Sequence, residues 1–361
     1  MNRSRRHFLA SVGWAATAGR PAWGRTGPAP SVLPPPILTD DRVVGFVAGI
    51  RPFRRGGPRL EREERGGKTV VHNYGHGGAG YTLSWGSALA AAELLRGAAP
   101  AGARVAVLGA GVVGLSTARV LQERGFRVRI YTRELPPETT SALAGAEWSP
   151  DIVERGETAV ARRLFERMLV SSWRRFQRLV GAGWGVAPRP IYEAEDVPSG
   201  LDDLPAGLLP APRRLAALPF APARSGRVYR TMLIEVPIYL ARLMEEVRRA
   251  GAAVERRAFT DPAELAALPE RAVVNCLGLG AGALFADPAI VPIRGQLVHL
   301  RPQELPYLLD HPDGYMVPRA DALVLGGTFE VGVADARPQP ADCARIVAAN
   351  RRFFAGRAGK E

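Results

Sequence analysis

Three glycines near residue 110 have a spacing that suits the binding of a dinucleotide. Gly109, Gly111 and Gly114 form a GxGxxG pattern. Such glycines allow a tight turn, bring the backbone close to a pyrophosphate and let a helix pack against the preceding strand. The pattern follows the apolar run 105–108 and precedes a predicted helix that ends near Arg124. Because the first amides of a helix stabilise phosphate charge, this context predicts a dinucleotide site.

Two charged residues after the next predicted strand, residues 128–131, are candidates for contacts with the same ligand. Glu134 lies 20 residues after Gly114, the separation at which an acidic side chain binds ribose hydroxyls. Arg133 is adjacent to it and could instead bind a phosphate or remain in solvent at the end of the strand. Both alternatives stay open.

A second glycine cluster lies upstream, where Gly75, Gly77, Gly78 and Gly80 fall within six residues. A helix is predicted directly after it, over residues 83–95. A structural turn rarely needs so many glycines, so the cluster predicts a loop whose backbone approaches a ligand.

The histidines and cysteines do not predict a metal centre. None of the five histidines pairs at i, i+4 with an acid between them, and the two cysteines, Cys276 and Cys343, cannot form a four-thiolate site. A single disulfide between these cysteines stays open. Cys276 falls in an apolar segment and is predicted to be a small core residue.

The composition excludes several classes of protein. The chain has 361 residues, of which 47% are hydrophobic and 23% charged, and this is ordinary for a globular protein. It has no apolar run of about 18 residues, so an integral membrane protein is not expected. The net charge is +13, but only Lys68 and Lys360 are lysines, and the arginines are scattered without a basic stripe interleaved with aromatics. Nucleic-acid binding is therefore not predicted.

The N-terminus resembles a twin-arginine export signal. Arg5 and Arg6 precede Phe8 and Leu9, and a mildly apolar stretch follows them. We therefore predict a signal over residues 1–25, a partner in the twin-arginine export machinery, and export in folded form to a periplasmic or other extracytoplasmic location. Such machinery moves folded proteins, often with a cofactor already bound. The proline-rich residues 26–40 are predicted to be a linker.

Hydrophobic periodicity predicts further elements along the chain. Strands are predicted at 42–49, 273–275, 291–300 and 322–325, and helices at 157–180, 237–249 and 341–354.

The sequence also resembles the D-amino-acid oxidase family over nearly all of the chain after residue 40. The segments that carry the resemblance are Gly49–Pro52, Arg59–Glu61, His72–Gly80, Trp85–Gly86, Val107–Gly111, Thr139–Ser141, Ala144–Ala146 with Trp148, Val274–Cys276 with Gly278, Arg294–Gln296, Tyr315 with Pro318, and Leu325–Phe329.

This resemblance implies an α/β fold: a Rossmann-like FAD-binding domain of the glutathione-reductase type with an interleaved α+β substrate domain on a mixed sheet. The domains implied are a displaced FAD and substrate segment at 41–98, the FAD domain at 99–180 and 261–297, and the substrate domain at 181–260 and 298–361.

The order of the segments departs from the family. The Arg-Pro and His-Gly-Gly segments lie near the C-terminus in the family, whereas in this chain they precede the GxGxxG pattern. The chain is therefore predicted to be circularly permuted, with residues 96–104 as a bridge and the new termini on a surface loop. An artefact of reading frame or assembly is the alternative.

The resemblance implies noncovalently bound FAD and the oxidation of D-amino acids to imino acids, which hydrolyse to 2-oxo acids and ammonia while O2 is reduced to H2O2. Arg51 is implied as the clamp for the substrate carboxylate, Tyr315 as a second donor to it, and the Gly78 carbonyl as the acceptor for the amine. His311 replaces a second active-site tyrosine and could cover the site or be a solvent-facing loop residue.

The cofactor contacts implied involve both glycine clusters and a hydroxyl-bearing segment. Together with Arg133 and Glu134 from the residue pattern, the candidates are Gly77, Gly78, Gly80, Tyr81, Thr82, Gly109, Ala110, Gly111, Gly114, Thr139, Thr140, Ser141 and Gly145. Glu147 is predicted to lie on the surface, or to affect substrate binding if it faces the cavity.

Two other functions stay open on the sequence alone. One is an exported flavin dehydrogenase of D- or N-methyl amino acids that passes electrons to a quinone. The other is a catalytically silent FAD-binding protein. The preferred substrate side chain is not evident, and a homodimer is an open alternative for the oligomeric state.

Overall fold

The structure, a computed structural model, describes residues 32–194, 197–221 and 224–355. These residues form an α/β fold with two sheets, which confirms the predicted fold class. The predicted export signal and linker residues 26–31 lie outside the described residues. Within the described ranges, no helix is long and apolar enough to cross a membrane.

The strands of the described residues are numbered in chain order. They are β1 (Val43–Arg54), β2 (Arg59–Arg65), β3 (Lys68–Tyr74), β4 (Arg104–Leu108), β5 (Arg127–Thr132), β6 (Val186–Ala194), β7 (Arg213–Leu215), β8 (Gly226–Ile234), β9 (Ala253–Arg256), β10 (Ala272–Asn275), β11 (Ile290–Leu300), β12 (Leu308–His311), β13 (Gly314–Pro318), β14 (Leu323–Gly326) and β15 (Glu330–Val331).

The helices of the same residues are α1 (Gly80–Leu94), α2 (Val112–Glu123), α3 (Ala159–Leu179), α4 (Val236–Arg249), α5 (Leu279–Leu284) and α6 (Pro340–Ala355). Short 3-10 turns lie at Asp40–Arg42, Thr140–Leu143 and Pro262–Ala267.

The smaller sheet carries the predicted dinucleotide unit. Its six strands follow the order β2, β3, β10, β4, β5, β9. All neighbours are parallel except β2, which pairs antiparallel with β3 at one edge. Residues 105–108 of β4 are fully buried, as expected for an apolar strand in the middle of a parallel sheet. Helices α1, α2 and α3 pack beside this sheet.

The larger sheet is mixed and has nine strands. Its main path is β1, β11, β14, β13, β12, β6, β8, β7, and β15 also pairs with β11. One face packs in the same core as the helices of the smaller sheet, where Ile191 and Leu308 lie. The other face packs against α6, where Tyr192, Leu309 and Met316 share a core with Phe353. Because side chains alternate along a strand, each residue's position determines which core it enters.

The strongly patterned elements lie where the sequence predicts them. The helices predicted at 157–180, 237–249 and 341–354 correspond to α3, α4 and α6, and the predicted strands 105–108, 128–131 and 291–300 correspond to β4, β5 and β11. Helix α3 begins after Thr158, whose side chain accepts a hydrogen bond from the Ala161 amide at 3.1 Å. The other predicted elements are also present, with shifted ends.

The two ends of the described chain lie side by side. The Arg351 guanidinium on α6 donates to the Leu38 carbonyl and to an Asp40 carboxylate oxygen, both at 2.6 Å, just before β1. Cys276 and Cys343 are both free and buried, so the disulfide that the sequence left open is not formed.

Candidate functional site

The GxGxxG segment forms the turn from β4 into α2. Gly109 has a φ of +101°, and a Cβ there would lie 2.6 Å from the Cys276 carbonyl oxygen. A Cβ at Gly114 would overlap the Gly109 carbonyl oxygen. Gly111 is the N-cap residue of α2. The first and third glycines therefore leave room only for hydrogen, and the turn presents the start of α2 as a site for phosphate.

The hydroxyl-bearing segment 139–141 lies against this turn. Ser141 Oγ accepts a hydrogen bond from the Val112 amide at 3.0 Å, and its carbonyl accepts one from the Tyr81 hydroxyl at 2.8 Å. The Thr139 hydroxyl is buried without a hydrogen-bond partner among the described residues, whereas Thr140 is exposed. A ligand in this turn would satisfy the Thr139 hydroxyl.

Several other predicted cofactor residues have partners within the protein. The Thr82 hydroxyl donates to the Ser149 carbonyl at 2.7 Å and accepts from its amide at 3.1 Å, so it joins α1 to the loop before α3. Arg133 and Glu134 pair with each other at 2.9 Å near the end of β5. The Ala110 amide donates to Thr132 Oγ1 at 3.1 Å. Contacts of these residues with a ligand stay predictions.

The second glycine cluster joins the two sheets. The Gly77 amide donates to the Pro52 carbonyl on β1 at 3.0 Å, and the Gly78 amide donates to the Ile152 carbonyl at 3.1 Å. Gly78 is exposed, and a Cβ on it would lie 2.8 Å from the Asp151 carbonyl oxygen. Gly80 begins α1 beside Val112 of α2. The loop thus places Gly78 between β1 and the dinucleotide turn.

Arg51 lies on β1, and its guanidinium is held above the neighbouring strand β11. A Cβ at Gly295 would lie 2.5 Å from Cζ of Arg51, so the absence of a side chain at that position makes room for the guanidinium. Nη1 of Arg51 also donates to the Thr328 carbonyl at 3.3 Å. The rest of this planar donor surface is suited to a carboxylate.

Tyr315 lies on β13 next to Arg51 and packs on two glycines. A Cβ at Gly326 would lie 2.5 Å from Cε2 of the Tyr315 ring, and one at Gly145 would lie 3.5 Å from the same atom. The phenol interacts with the Arg51 guanidinium, and burial raises its pKa to about 12. Tyr315 is therefore protonated at neutral pH and can donate a hydrogen bond beside Arg51.

His311 does not face this site. Its neighbour Asp310 lies directly opposite Tyr315 in the β12–β13 pair, so His311 points to the other face of the sheet. There its Nε2 lies 3.1 Å from Asn350 Oδ1 on α6, and its ring stacks on Phe353. His311 is 4% exposed, which shows that the solvent-facing alternative is wrong. The position of its side chain also does not support the predicted active-site role.

Glu147 does not have the surface position predicted for it. It forms an isolated bridge with Leu233 of β8 and faces Arg51, Asp151 and Glu193. Burial raises its pKa to about 7, and the Asp151 carboxylate adds to the effect while Arg51 opposes it. Glu147 therefore lies inside the candidate site, as the other alternative required.

Sequence reasoning missed three further acidic residues near the same site: Asp151, Glu193 and Asp310. Burial raises the pKa of each of them. A signal was present for two, because Glu193 directly follows Ile191 and Tyr192, and Asp310 directly follows Leu308 and Leu309, and acids next to apolar pairs are rarely buried without a partner.

The residues present fit an FAD molecule. The turn at Gly109–Gly114 excludes side chains where a pyrophosphate would pass, and the buried hydroxyl of Thr139 lacks a partner among the described residues. The segment 139–146, which lies against this turn, also packs on the strands that carry Arg51 and Tyr315, through Leu143 at Gly49 and through Gly145 at Tyr315.

Comparisons with known proteins agree with this geometry. The family described as FAD dependent oxidoreductase matches residues 29–94 and 104–360. The D-amino-acid oxidase of Streptomyces coelicolor is 38% identical over 252 residues, which cover 67% of this chain and 75% of that protein. The D-amino-acid oxidase of Rubrobacter xylanophilus is 37% identical over 265 residues, with 68% and 75% covered.

A solved structure with much lower sequence identity shows the same fold. The L-proline dehydrogenase from P. horikoshii has a TM-score of 0.51 and 13% identity, and the match covers 71% of this chain and 78% of that one. This similarity supports the fold alone.

Proposed function

The chain belongs to the FAD dependent oxidoreductase family, and on that premise we propose that it catalyses the FAD-dependent oxidative deamination of D-amino acids. The amino acid loses a hydride from Cα and a proton from its amine, and the resulting imino acid hydrolyses to a 2-oxo acid and ammonia. FAD supplies the hydride acceptor and, on reoxidation by O2, gives H2O2. The observation that carries the proposal is the Arg51–Tyr315 pair beyond the dinucleotide turn.

Arg51 and Tyr315 bind the substrate carboxylate. The guanidinium is held in place over Gly295 and by the Thr328 carbonyl, so its free N–H groups are already oriented for a bidentate pair. The protonated Tyr315 hydroxyl, on β13, provides a second, neutral hydrogen-bond donor to the carboxylate. These two contacts fix the position of the carboxylate. The orientation of Cα is then determined by the contact that the amine makes.

Gly78 provides the surface for the substrate amine. Its amide is held by the Ile152 carbonyl, and the absence of a side chain lets the loop lie close against the Asp151 backbone. A backbone carbonyl there accepts a hydrogen bond from the amine, so that the Cα hydrogen is directed at the cofactor. No side-chain base is required, because the carbon loses a hydride from a neutral amine.

Anaerobic flavin absorbance tests this function. Purified protein is mixed with matched D- and L-amino acids, and we expect only D-isomers to bleach the bound flavin. Readmitted air restores the absorbance and yields H2O2 if O2 is the acceptor, whereas slow recovery that a quinone accelerates would indicate a dehydrogenase. Arg51→Ala with flavin retained separates the enzyme from a silent flavoprotein, since only an enzyme loses bleaching. Flavin that no amino acid reduces contradicts the proposal.

We further propose that the chain is a circular permutation of the family fold. The family matches two stretches, 29–94 and 104–360, with a short gap between them. The contact of Arg351 with Leu38 and Asp40 places the end of α6 beside the start of β1, where the family order would need a direct connection. The family order can be restored in a rearranged protein that starts near residue 101, connects residue 355 to residue 38 through a short linker and ends near residue 97. This protein is expected to bind FAD and to keep activity. An insoluble product without flavin would contradict this.

Export through the twin-arginine machinery is also a proposal, which the Arg5-Arg6 pair and the segment after it support. A reporter fused after residue 40 is expected in the periplasm, and R5K/R6K is expected to keep it in the cytoplasm. Reporter export that is unaffected by R5K/R6K would rule this route out. The oligomeric state, for which the sequence leaves a homodimer open, is measured directly by light scattering of the purified protein.

A further inference from the structure

Four acidic residues form a group next to the substrate clamp, and two of them, Glu147 and Asp310, act on Tyr315 directly. They are Glu147, Asp151, Glu193 and Asp310, and each interacts electrostatically with others of the set. Their relation to a substrate rests on the proposed function, because the Arg51–Tyr315 pair is taken as the place where a substrate carboxylate binds.

Strand register places two of these acids in line with the clamp. Glu193 on β6 is opposite Asp310 on β12, and Asp310 is opposite Tyr315 on β13. Residues that are opposite each other in adjacent strands project from the same face of a sheet. Tyr315, Asp310 and Glu193 therefore form a row that leads away from the carboxylate clamp along one face of the larger sheet.

This row is short of hydrogen-bond partners. Glu193 is 1% exposed, and its Oε1 accepts no well-formed hydrogen bond from any described residue, although the Ser199 hydroxyl is near. The Asp310 carboxylate forms no hydrogen bond or salt bridge within the part of the chain that the structure describes, and the residue is half-buried. Buried charges are normally paired, but Asp310 has no cationic partner among the described residues, and Glu193 is paired with Arg227 through one of its two oxygens.

The cations nearby are already engaged. Arg227 pairs with Glu193 Oε2 at 2.7 Å and with Asp202 at 2.9 Å. Arg155 is hydrogen-bonded to the Gly200 carbonyl at 3.1 Å and also to the Asp203 carbonyl. Arg51 faces the substrate carboxylate. Three guanidinium groups, those of Arg51, Arg155 and Arg227, thus act on four carboxyl groups, so acids outnumber cations around the clamp.

We propose that the side-chain pocket formed by Glu147, Asp310 and Glu193 selects D-amino acids whose side chain ends in a cation, such as D-arginine and D-lysine. A guanidinium or ammonium group there donates to Asp310 and Glu147, and Glu193, opposite Asp310 in the sheet, adds negative potential behind them. Asp151, which accepts a hydrogen bond from the Gly200 amide at 2.7 Å, adds negative potential from the loop side.

The span of the site fits a long side chain. Gly295, below the Arg51 guanidinium, lies on β11, and Asp310 lies on β12, three strands away. With strands about 4.8 Å apart this is roughly 14 Å across the sheet. Two ion pairs at the ends of an extended arginine or lysine bridge such a distance, whereas alanine leaves the acids unpaired.

Isosteric substrates test the charge preference. Anaerobic flavin reduction of the full-length FAD-loaded protein is compared between D-arginine and D-citrulline, which differ in charge but hardly in shape. We expect the apparent second-order rate constant of flavin reduction to be at least about tenfold higher for D-arginine than for D-citrulline. This factor corresponds to the lower end of the coupling energies of desolvated charge pairs. D-Glutamate is expected to react more slowly than either.

Binding is measured separately with compounds that cannot be oxidised. The compound 5-guanidinopentanoate carries the carboxylate and the guanidinium but no amine, and hexanoate is its uncharged-tail control. Calorimetry is expected to give about tenfold tighter binding for the guanidino compound. Asp310→Asn is expected to remove most of this difference. Asp313→Asn is the matched control, because it removes an exposed acid from the same hairpin.

The outcomes distinguish this inference from the proposed function. If D-citrulline and D-arginine reduce the flavin equally well, the charge preference is wrong and the D-amino-acid activity stands. If no D-amino acid reduces the flavin, the proposed function fails, and the calorimetry still decides whether the pocket prefers a cation. A preference that Asp310→Asn and Glu147→Gln both leave unchanged contradicts the assigned pocket.

Discussion

The guanidinium of Arg51 occupies the space above Gly295 in which any other residue would carry its side chain, with Cζ 2.5 Å from the position of a Cβ. Gly295 and Arg51 lie on neighbouring strands, two positions apart in register. The conformation of the substrate clamp therefore depends on a residue that itself has no functional group.

Gly295→Ala is expected to weaken substrate binding without loss of flavin. The new methyl group displaces the guanidinium, so KM for a D-amino acid should rise by about 10- to 100-fold, as for a binding group misplaced by about 1 Å. Gly45→Ala is the control, because a Cβ there meets no atom within 4 Å. Steady-state kinetics of both variants measure the effect, and equal KM values would show that the guanidinium moves freely.

Tyr315→Phe and His311→Leu are expected to affect different properties. Loss of the Tyr315 hydroxyl removes a donor to the substrate carboxylate and should lower kcat/KM by about tenfold. His311→Leu leaves Asn350 Oδ1 without its partner on the far side of the sheet and should cost about 1–3 kcal/mol of stability. Kinetics and thermal unfolding of both variants check this, and a large loss of kcat in His311→Leu would restore its predicted active-site role.

Glu147→Gln is expected to stabilise the protein at high pH. The folded-state pKa of Glu147 is raised to about 7 from an ordinary 4.5, so its favourable contribution is present below pH 4.5 and is lost as pH rises through 7. Glutamine avoids this loss of folding free energy, which is on the order of 3 kcal/mol at pH 8. The charged groups facing Glu147 are Arg51, Asp151, Glu193 and Asp310, with Tyr315 beside them.

Thermal unfolding of wild type and Glu147→Gln at pH 5 and pH 8 measures this effect. The difference in Tm should be larger at pH 8. A difference that shrinks as pH rises would mean that Glu147 is ionised at low cost, with Arg51 as its effective partner.

Gly114→Ala is expected to lose FAD. A Cβ at this position overlaps the Gly109 carbonyl oxygen, so α2 must move away from the turn that holds the pyrophosphate. Gly280→Ala is the control, since its Cβ would meet only Leu277 Cβ at 3.5 Å. The ratio of flavin to protein absorbance after purification gives the result, and full flavin content in Gly114→Ala would place the cofactor elsewhere.

Local patterns in the sequence were sufficient for the elements with strong periodicity and for the dinucleotide turn. The run 105–108, the glycines after it and the helices α3, α4 and α6 carry short-range signals that packing only reinforces. Strands β6, β12 and β13 were missed. They mix apolar residues with proline, acids or glycine. Strand β6 also depends on pairing with β8 and β12, which lie about 40 and 117 residues further along the chain.

The sequence could not predict which face of the sheet each side chain of the site projects from. His311 and Asp310 are neighbours, and only the register of β12 against β13 decides which one shares a face with Tyr315. The same holds for Glu147, whose burial depends on the bridge to Leu233. The residue types indicated which side chains carry charge, and the strand pairing determined which of them lie in the candidate site.

The order of segments along this chain delays the completion of both sheets until late in synthesis. Strand β1 leaves the ribosome first, but its partner β11 follows more than 200 residues later, and β10 must insert between β3 and β4. Neither sheet can form completely while the chain is short. Strand β3, whose residues are mostly buried in the folded protein, therefore lacks its partner β10 until late in synthesis. We therefore expect the nascent chain to depend more on chaperones than a chain in which neighbouring strands follow each other in sequence.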